Sequence, residues 1–208
     1  MDKVFGKITR LYEDNLESHG FQSKAVGWNT AECQDLRFFK LSSLVSPDEK
    51  DLTVNDYGCG YGSQLIYLNS NGYDVSSYNG YDLSSDMLSG ATEQLADYEE
   101  TEISLTQSDV IHHTADYTFV SGTFNVRFDA TDDEWGHFIE SKLKEIDKYS
   151  VKGFGFNLLS TYVDWREPHL FYGDPTYWFD YCKKNFSTRV SLLHDYPLYE
   201  WTIIVRKG

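Results

Sequence analysis

A glycine-rich turn between a predicted strand and a predicted helix constrains the fold of this chain more than any other feature. Residues 52–56 have the pattern of a buried strand, the segment Asp56-Tyr57-Gly58-Cys59-Gly60-Tyr61-Gly62 follows, and a helix is predicted up to about Gly72. Glycines at such a turn let the chain bend sharply and let a ligand approach the backbone. A dinucleotide-binding fingerprint would need glycine at position 63, where this chain has Ser63. The turn also lacks the lysine of a P-loop. The sequence therefore predicts an α/β ligand-binding unit of another kind.

Strand and helix patterns alternate along the rest of the chain and predict a mostly parallel sheet with helices on both faces. Helical patterns surround Met87 and cover 135–146, and Asp174-Pro175 is typical of a helix start. The last two strands flank a turn with Pro197 and form an antiparallel hairpin. The predicted strands are 52–56, 77–82, 117–121, 152–159, 188–194 and 199–206.

Two helices precede this alternation and form an N-terminal extension. Apolar residues recur at helical spacing over 4–16. A second helix is predicted to begin near Asn29, where Glu32 follows three residues later as in a capping box. Because no linker or repeat interrupts the sequence, we expect one domain over the whole chain, with a helical cap (1–49) on a core (50–208).

The charge and the cysteine content argue against several classes of function. The chain has 18 basic and 33 acidic residues and a net charge of −15, which repels phosphate backbones and makes a broad nucleic-acid interface unfavourable. Its three cysteines form no CxxC pair, so they predict neither a zinc cluster nor a disulfide framework. The sequence contains no signal-peptide pattern and no apolar run long enough to span a bilayer. We therefore expect a cytoplasmic protein without a membrane or nucleic-acid partner.

The glycine turn resembles motif I of the class I methyltransferases that use S-adenosylmethionine (SAM), written (D/E)xGxGxG. Asp56 and the three glycines of the turn match its defined positions, and the resemblance covers residues 50–206. It implies a Rossmann-like fold with a seven-stranded, mostly parallel sheet whose last strand is antiparallel. It also implies SAM as the cofactor, with the backbone of Gly58, Cys59 and Gly60 around the ligand. The Asp56 carboxylate would then make a charge-assisted hydrogen bond to the methionine ammonium.

A second motif follows at the end of the next predicted strand. The stretch Gly80-Tyr81-Asp82-Leu83-Ser84-Ser85-Asp86-Met87-Leu88 resembles the family's second motif. An acid at this strand end can accept hydrogen bonds from both ribose hydroxyls, and the resemblance gives that role to Asp82. It places Leu83 or Met87 beside the adenine, although a methionine there is also an ordinary core residue.

Two further segments complete the predicted cofactor site in the core. Asp109 and Val110 precede the fourth strand and by resemblance contact the edge of the adenine, the alternative for Asp109 being a solvated turn. Residues 115–125 resemble the family's fourth strand and the loop after it, which places Ser121 beside the methyl donor.

The N-terminal extension is expected to cover this site. Arg37 could meet the methionine carboxylate as a bidentate donor, and Trp28 could close the pocket. The alternative is a surface arginine and a core tryptophan.

The methyl acceptor is expected at the carboxyl ends of the strands, where open α/β sheets bind ligands. The long, aromatic connection 161–174 would suit a sugar-sized or aromatic small molecule. Methyl transfer needs mainly positioning, but a hydroxyl acceptor benefits from a general base. His194 is the first candidate, with Asp195 beside it, and His169 and Asp174 follow; a structural histidine and a helix cap are the alternatives. No spacing of acids and histidines requires a metal.

The sequence thus predicts a SAM-dependent methyltransferase that acts on a small molecule, at an oxygen. The segments SGTFNV, GFGFNLLS and LLHDYPLYEWTIIVRK resemble bacterial small-molecule methyltransferases, some of them associated with surface-glycan or capsule modification. One alternative is a non-catalytic SAM-binding regulatory protein. Another is a nicotinamide-dependent oxidoreductase, which Ser63 disfavours.

Overall fold

The computed structural model of this chain describes residues 2–20 and 30–208, so the predicted pocket closure by Trp28 lies outside the described residues. Strands and helices alternate over residues 52–107 and 115–160, as predicted. The helices are α1 (Asp2–His19), α2 (Ala31–Ser42), α3 (Ser63–Ser70), α4 (Ser85–Gln94), α5 (Asp132–Tyr149) and α6 (Pro175–Asn185). The strands are β1 (Leu52–Tyr57), β2 (Val75–Asp82), β3 (Glu102–Gln107), β4 (Ala115–Val120), β5 (Ser150–Ser160), β6 (Tyr172–Gly173), β7 (Arg189–Leu193) and β8 (Glu200–Arg206).

The strands form one sheet in the order β3-β2-β1-β4-β5-β8-β7, and the two-residue β6 pairs with β5 outside this path. Strands β1 to β5 pair in parallel, whereas β8 is antiparallel to both β5 and β7. The predicted mostly parallel sheet with an antiparallel last strand is confirmed. The strand order reverses between β1 and β4, and open sheets of this kind bind ligands at such a point.

Two apolar layers bury the two faces of the sheet. Helices α5 and α6 cover one face through residues such as Trp135 and Trp178. Helices α2, α3 and α4 cover the other face through residues such as Leu41 and Leu65. Alternate residues of β8 belong to the two layers, as the period of two along a strand requires. Within the described ranges, no helix is both long enough and apolar enough to cross a bilayer.

The starts of α2 and α6 follow local capping signals, with one correction. Asp174 caps α6 and Pro175 is its first residue, as predicted. Helix α2, however, is capped by Thr30, whose hydroxyl accepts a hydrogen bond from the Cys33 amide at 3.3 Å. The predicted start near Asn29 is therefore one residue early, because neighbouring Asn and Thr residues are both good caps and sequence alone does not choose between them.

Candidate functional site

A cavity opens where the carboxyl ends of β1, β2 and β4 meet, at the reversal of the strand order. It measures about 910 Å³, counting the part that is open to solvent. The ends of these three strands and the turns after them form most of its wall, and residues of α1, α2, α3, α4 and the segment after β3 supply the rest. The cavity wall brings together nine of the residues predicted to hold the cofactor: Asp56, Gly58, Cys59, Gly60, Asp82, Leu83, Met87, Asp109 and Ser121.

The glycine turn after β1 needs glycine for a steric reason. Gly58 has φ +79°, and a Cβ atom there would lie 2.6 Å from Cγ2 and 2.9 Å from Cβ of Thr123. Thr123 cannot easily move away, because its hydroxyl donates a hydrogen bond to the Tyr57 carbonyl at 2.9 Å. The backbone amides of Gly58 and Cys59 donate to the Tyr81 carbonyl at 2.8 and 3.0 Å, which ties this turn to the end of β2.

Asp82, at the end of β2, holds the glycine turn and the next helix in place. Its Oδ2 accepts a hydrogen bond from the Gly60 amide and its Oδ1 accepts one from the Ser84 amide, both at 2.9 Å. Burial raises the pKa of this carboxyl, while the backbone hydrogen bonds oppose the rise. Each carboxylate oxygen has a second lone pair, so Asp82 can also accept hydrogen bonds from a ligand.

Asp56 is a buried acid that faces the same cavity. Its side chain is covered, with the residue 2% exposed, and its Oδ2 accepts a hydrogen bond from the Tyr78 hydroxyl at 2.6 Å. Burial raises the pKa of Asp56 to about 7; the Tyr78 hydrogen bond lowers it, and the nearby Asp82 raises it further. Among residues 2–20 and 30–208, no cationic side chain forms a salt bridge with Asp56. The site is therefore suited to a cationic ligand group.

Several polar atoms in the cavity wall are buried without a partner within the described part of the chain. Both amide atoms of Gln64 and the hydroxyl oxygen of Ser121 are of this kind. A buried polar atom left unpaired is costly, so such atoms indicate where a ligand binds. The sequence analysis did not select Gln64; the only available signal was its position in the first turn of the helix after the glycine turn.

The N-terminal extension lines the cavity through residues that the sequence analysis did not select. Ile8, Thr9 and Tyr12 of α1 and Gln34 and Phe38 of α2 belong to the wall. Their helical spacing marked an apolar face, but many helices have one, and the spacing alone does not say that this face meets a ligand.

Arg37 and Val110 do not belong to the cavity wall. The Arg37 Nε donates to Oε2 of Glu200 at 2.6 Å in a buried ion pair, and neither residue is part of the cavity wall. Val110 is exposed, whereas its neighbour Asp109 lines the cavity. The predicted contacts of Arg37 with the methionine carboxylate and of Val110 with the adenine stay predictions without a supporting contact.

None of the four candidate bases belongs to the cavity wall as the described residues define it. Asp174 accepts hydrogen bonds from Thr176 as a helix cap, and His169 packs its ring against Phe128 at 6.2 Å. The ring centroid of His194 lies 5.8 Å from that of Tyr162, and Asp195 forms an exposed ion pair with Lys40. Asp174 thus has the structural role given above as its alternative, and a catalytic role for the others stays a prediction.

Comparison with known proteins places these features in a family. A family model described as "Tellurite resistance protein TehB" matches residues 41–167. A protein of Mycobacterium tuberculosis (strain ATCC 25618 / H37Rv) named "Putative methyltransferase Rv1506c" is 41% identical over 158 residues, which cover 75% of this chain and 93% of that protein.

Solved structures share the fold at much lower sequence identity. Magnesium protoporphyrin IX methyltransferase (ChlM) from Synechocystis PCC 6803, with bound S-adenosylhomocysteine (SAH), superposes with a TM-score of 0.68 at 14% identity, covering 100% of this chain and 99% of that one. TehB from Haemophilus influenzae gives a TM-score of 0.59 at 17% identity, covering 89% and 65%. At these identities the match concerns the fold.

Proposed function

The chain belongs to the TehB family and has the fold of the class I SAM-dependent methyltransferases, and from this premise we propose that it methylates a hydroxyl oxygen of a small molecule. The observation that carries the cofactor assignment is the composition of the cavity wall. One wall holds a buried acid without a cationic partner in the described chain, a second acid fixed by backbone amides, and unpaired buried polar atoms.

These groups fit SAM, piece by piece. The Asp56 carboxylate suits the methionine ammonium, and the free lone pairs of Asp82 suit the ribose hydroxyls. Leu83 and the buried Met87 offer apolar surface for the adenine. The unpaired Gln64 amide can hydrogen bond to the methionine end. When bound, SAM supplies a methyl carbon that its sulfonium activates for displacement.

What the protein adds is positioning, since the methyl group is already activated. The glycine turn and Asp82 hold the ligand's nucleoside end on rigid backbone. The α1 residues Ile8 and Tyr12 enclose the site with side chains that are mostly apolar. The net charge of −15 disfavours a nucleic-acid acceptor, which supports a small molecule.

Two loops, 161–171 and 194–199, are proposed to bind the acceptor, and we call them the acceptor loops. Two ring contacts connect these loops. The ring centroids of Tyr162 and His194 lie 5.8 Å apart, and those of Trp165 and Tyr199 lie 6.0 Å apart. Tyr162, Trp165 and Tyr199 are all more than half exposed, at 68%, 62% and 56%. Exposed aromatic faces can stack on a sugar or aromatic ring, and His194 beside them is the candidate base for its hydroxyl.

Calorimetry tests the cofactor assignment without knowledge of the acceptor. We expect binding of SAM and SAH and no binding of NAD. Binding of NAD with no response to SAM or SAH would contradict the proposal and favour an oxidoreductase.

An acceptor screen then tests the reaction. The protein is incubated with SAM labelled in its methyl group and with pools of hydroxylated sugars and phenols, and the products are identified by mass spectrometry. A product labelled at oxygen supports the proposal; a label on nitrogen or carbon corrects the atom. Tight SAM binding with no turnover in any pool would favour the regulatory alternative.

A further inference from the structure

A buried polar chain runs from helix α2 to the turn after β4, outside the cavity. It begins with Arg37, whose Nε donates to Oε2 of Glu200 at 2.6 Å. Glu200 and Asn157 are both fully buried, in the neighbouring strands β8 and β5. Asn157 Oδ1 in turn accepts a hydrogen bond from the backbone amide of Gly122 at 2.8 Å. Four residues thus connect a helix that lines the cavity with a turn that lines it from another side.

The middle of this chain is a contact between an amide and a carboxylate. Burial raises the pKa of the Glu200 carboxyl, while the Arg37 guanidinium and, to a smaller extent, the Asn157 amide act to lower it. Asn157 Nδ2 and Glu200 Oε1 nevertheless have no hydrogen bond of regular geometry with the described residues. An amide N–H donates and a carboxylate oxygen accepts, so these two unpaired atoms are complementary in chemistry.

The position of Asn157 in the sequence makes a purely packing role implausible. It stands between Phe156 and Leu158 in a strand whose other residues there are apolar and buried. A fully buried amide costs stability unless it is hydrogen bonded, and an apolar residue would serve packing better. What Asn157 provides is an acceptor for the amide of Gly122, a residue with φ +75° at a bend of the cavity wall.

The bend that Asn157 holds touches the glycine turn. Ser121, Gly122 and Thr123 all line the cavity, and Thr123 donates to the Tyr57 carbonyl next to Gly58. A displacement at Gly122 would therefore change the wall on the β4 side and the contact with the glycine turn together.

We infer that Asn157 is a positioning residue for the methyl-transfer site. Glu200 and Arg37 act through Asn157 and keep the turn 121–123 in a fixed position relative to helix α2. This inference rests on the proposed function. It assigns Arg37 a role through Glu200, in place of the predicted direct contact with the methionine carboxylate. Arg37, Glu200 and Asn157 do not line the cavity themselves; through Gly122 they set the shape of its wall.

The test uses SAH binding measured by calorimetry and the NMR signal of the Gly122 amide. In Asn157→Ala, we expect SAH affinity to fall about fivefold or more, and the Gly122 amide to shift and exchange faster with solvent, since a buried hydrogen bond is lost. The double variant Arg37→Gln/Glu200→Gln removes both charges, so no buried charge is left unpaired. We expect it to fold, to move the Gly122 signal, and to weaken SAH binding by about twofold to fivefold.

Lys40→Gln is the matched control, because Lys40 also joins α2 to the segment before β8, through its ion pair with Asp195 at 2.8 Å. We expect this variant to leave both SAH affinity and the Gly122 signal as in the wild type. An unmoved Gly122 signal and wild-type SAH affinity in the double variant would overturn the inference. Equal losses in Lys40→Gln and the double variant would overturn it too, since any loosening of α2 would then suffice. Failure of the wild type to bind SAH would refute the proposed function instead. In that case the NMR signal of the Gly122 amide would still show whether Arg37 and Glu200 influence the turn 121–123.

Discussion

The cavity and the acceptor loops lie along the same edge of the sheet, but they are built in different ways. Around the cavity, the decisive contacts involve the backbone: Asp82 accepts from two main-chain amides, and Gly58 leaves room for Thr123. The acceptor loops instead present exposed side-chain rings such as Trp165, whose ring centroid lies 6.0 Å from that of Tyr199.

This difference explains why only one region has a recognisable sequence pattern. A site made of backbone contacts needs glycines and acids at set spacings, because strand register brings them together. A site made of exposed side chains on loops can be built from many different sequences. The sequence of such loops can therefore differ between relatives that bind different ligands. The cavity is therefore expected to tolerate few substitutions, and the acceptor loops many.

Gly58→Ala should have the largest effect, because it breaks the backbone design of the cavity. The positive φ costs about 1–2 kcal/mol for a residue with a Cβ. Overlap with Thr123 adds about 1–3 kcal/mol. We expect SAH affinity to fall by about a hundredfold, measured by calorimetry.

Gly72 provides the control for this prediction. It has the same φ of +79°, but nothing lies within 4 Å of an added Cβ. Gly72→Ala should lower the melting temperature through backbone strain and leave SAH affinity unchanged. Equal losses of affinity in the two variants would mean that the overlap at Thr123 is unimportant.

His194→Ala tests the acceptor loops, with an expected effect of similar size on a different quantity. If His194 is the base, kcat should fall by about a hundredfold with the acceptor found in the screen, while SAH affinity stays the same. His137→Ala, at an exposed histidine on α5, serves as the control. An unaltered kcat and pH profile in His194→Ala would remove the base assignment and leave the loops a binding role only.

Asp82→Ala should weaken SAM binding at least tenfold, about 1.4 kcal/mol, because a charged acceptor and two backbone hydrogen bonds are lost together. Asp86→Ala, an exposed acid four residues later in the first turn of α4, should change affinity little. Unchanged affinity in Asp82→Ala would refute its ribose role and weaken the contrast between the two regions.

The smallest effect is a pH dependence that originates at Asp56. Its pKa of about 7 means that the acid is mostly neutral at pH 6 and mostly ionised at pH 8. Because the ammonium of SAM favours the ionised form, SAM affinity should rise with pH across this window, by up to about tenfold. Asp56→Asn should bind SAM more weakly and with a flatter profile. A wild-type profile that is already flat would contradict this role.

The raised pKa of Asp56 also predicts a pH dependence of the folding stability. The folded protein keeps a proton on Asp56 between its ordinary pKa of 3.8 and about 7, where the unfolded chain has released it. Stability contributed by this site is therefore present at low pH and declines as pH rises through 7. Asp56→Asn should raise the melting temperature at pH 8 relative to the wild type. A melting temperature equal to that of the wild type at pH 8 would show that the buried charge costs little.

Much of the fold could be predicted because its elements carry local signals. The strand predicted at 52–56, the cap at Asp174 and the hairpin around Pro197 were each found in the structure. The sequence analysis assigned no strand at β3, whose residues are only partly buried or exposed, so the strand lacks a strong apolar pattern. It also missed β6, since two residues are too few for a period to show.

The sequence by itself determined the glycine turn, its acid and the acid after the next strand. These residues depend on backbone conformation and strand register, and both are written in local spacing. Tertiary structure decided the rest: that Arg37 pairs with Glu200, that Gln64 faces the cavity unpaired, and which residues of α1 line the site. Those contacts join residues far apart in the chain through side chains whose partners no local pattern specifies. For that reason the cofactor could be inferred from a motif, while the shape of the methyl-transfer site required the fold.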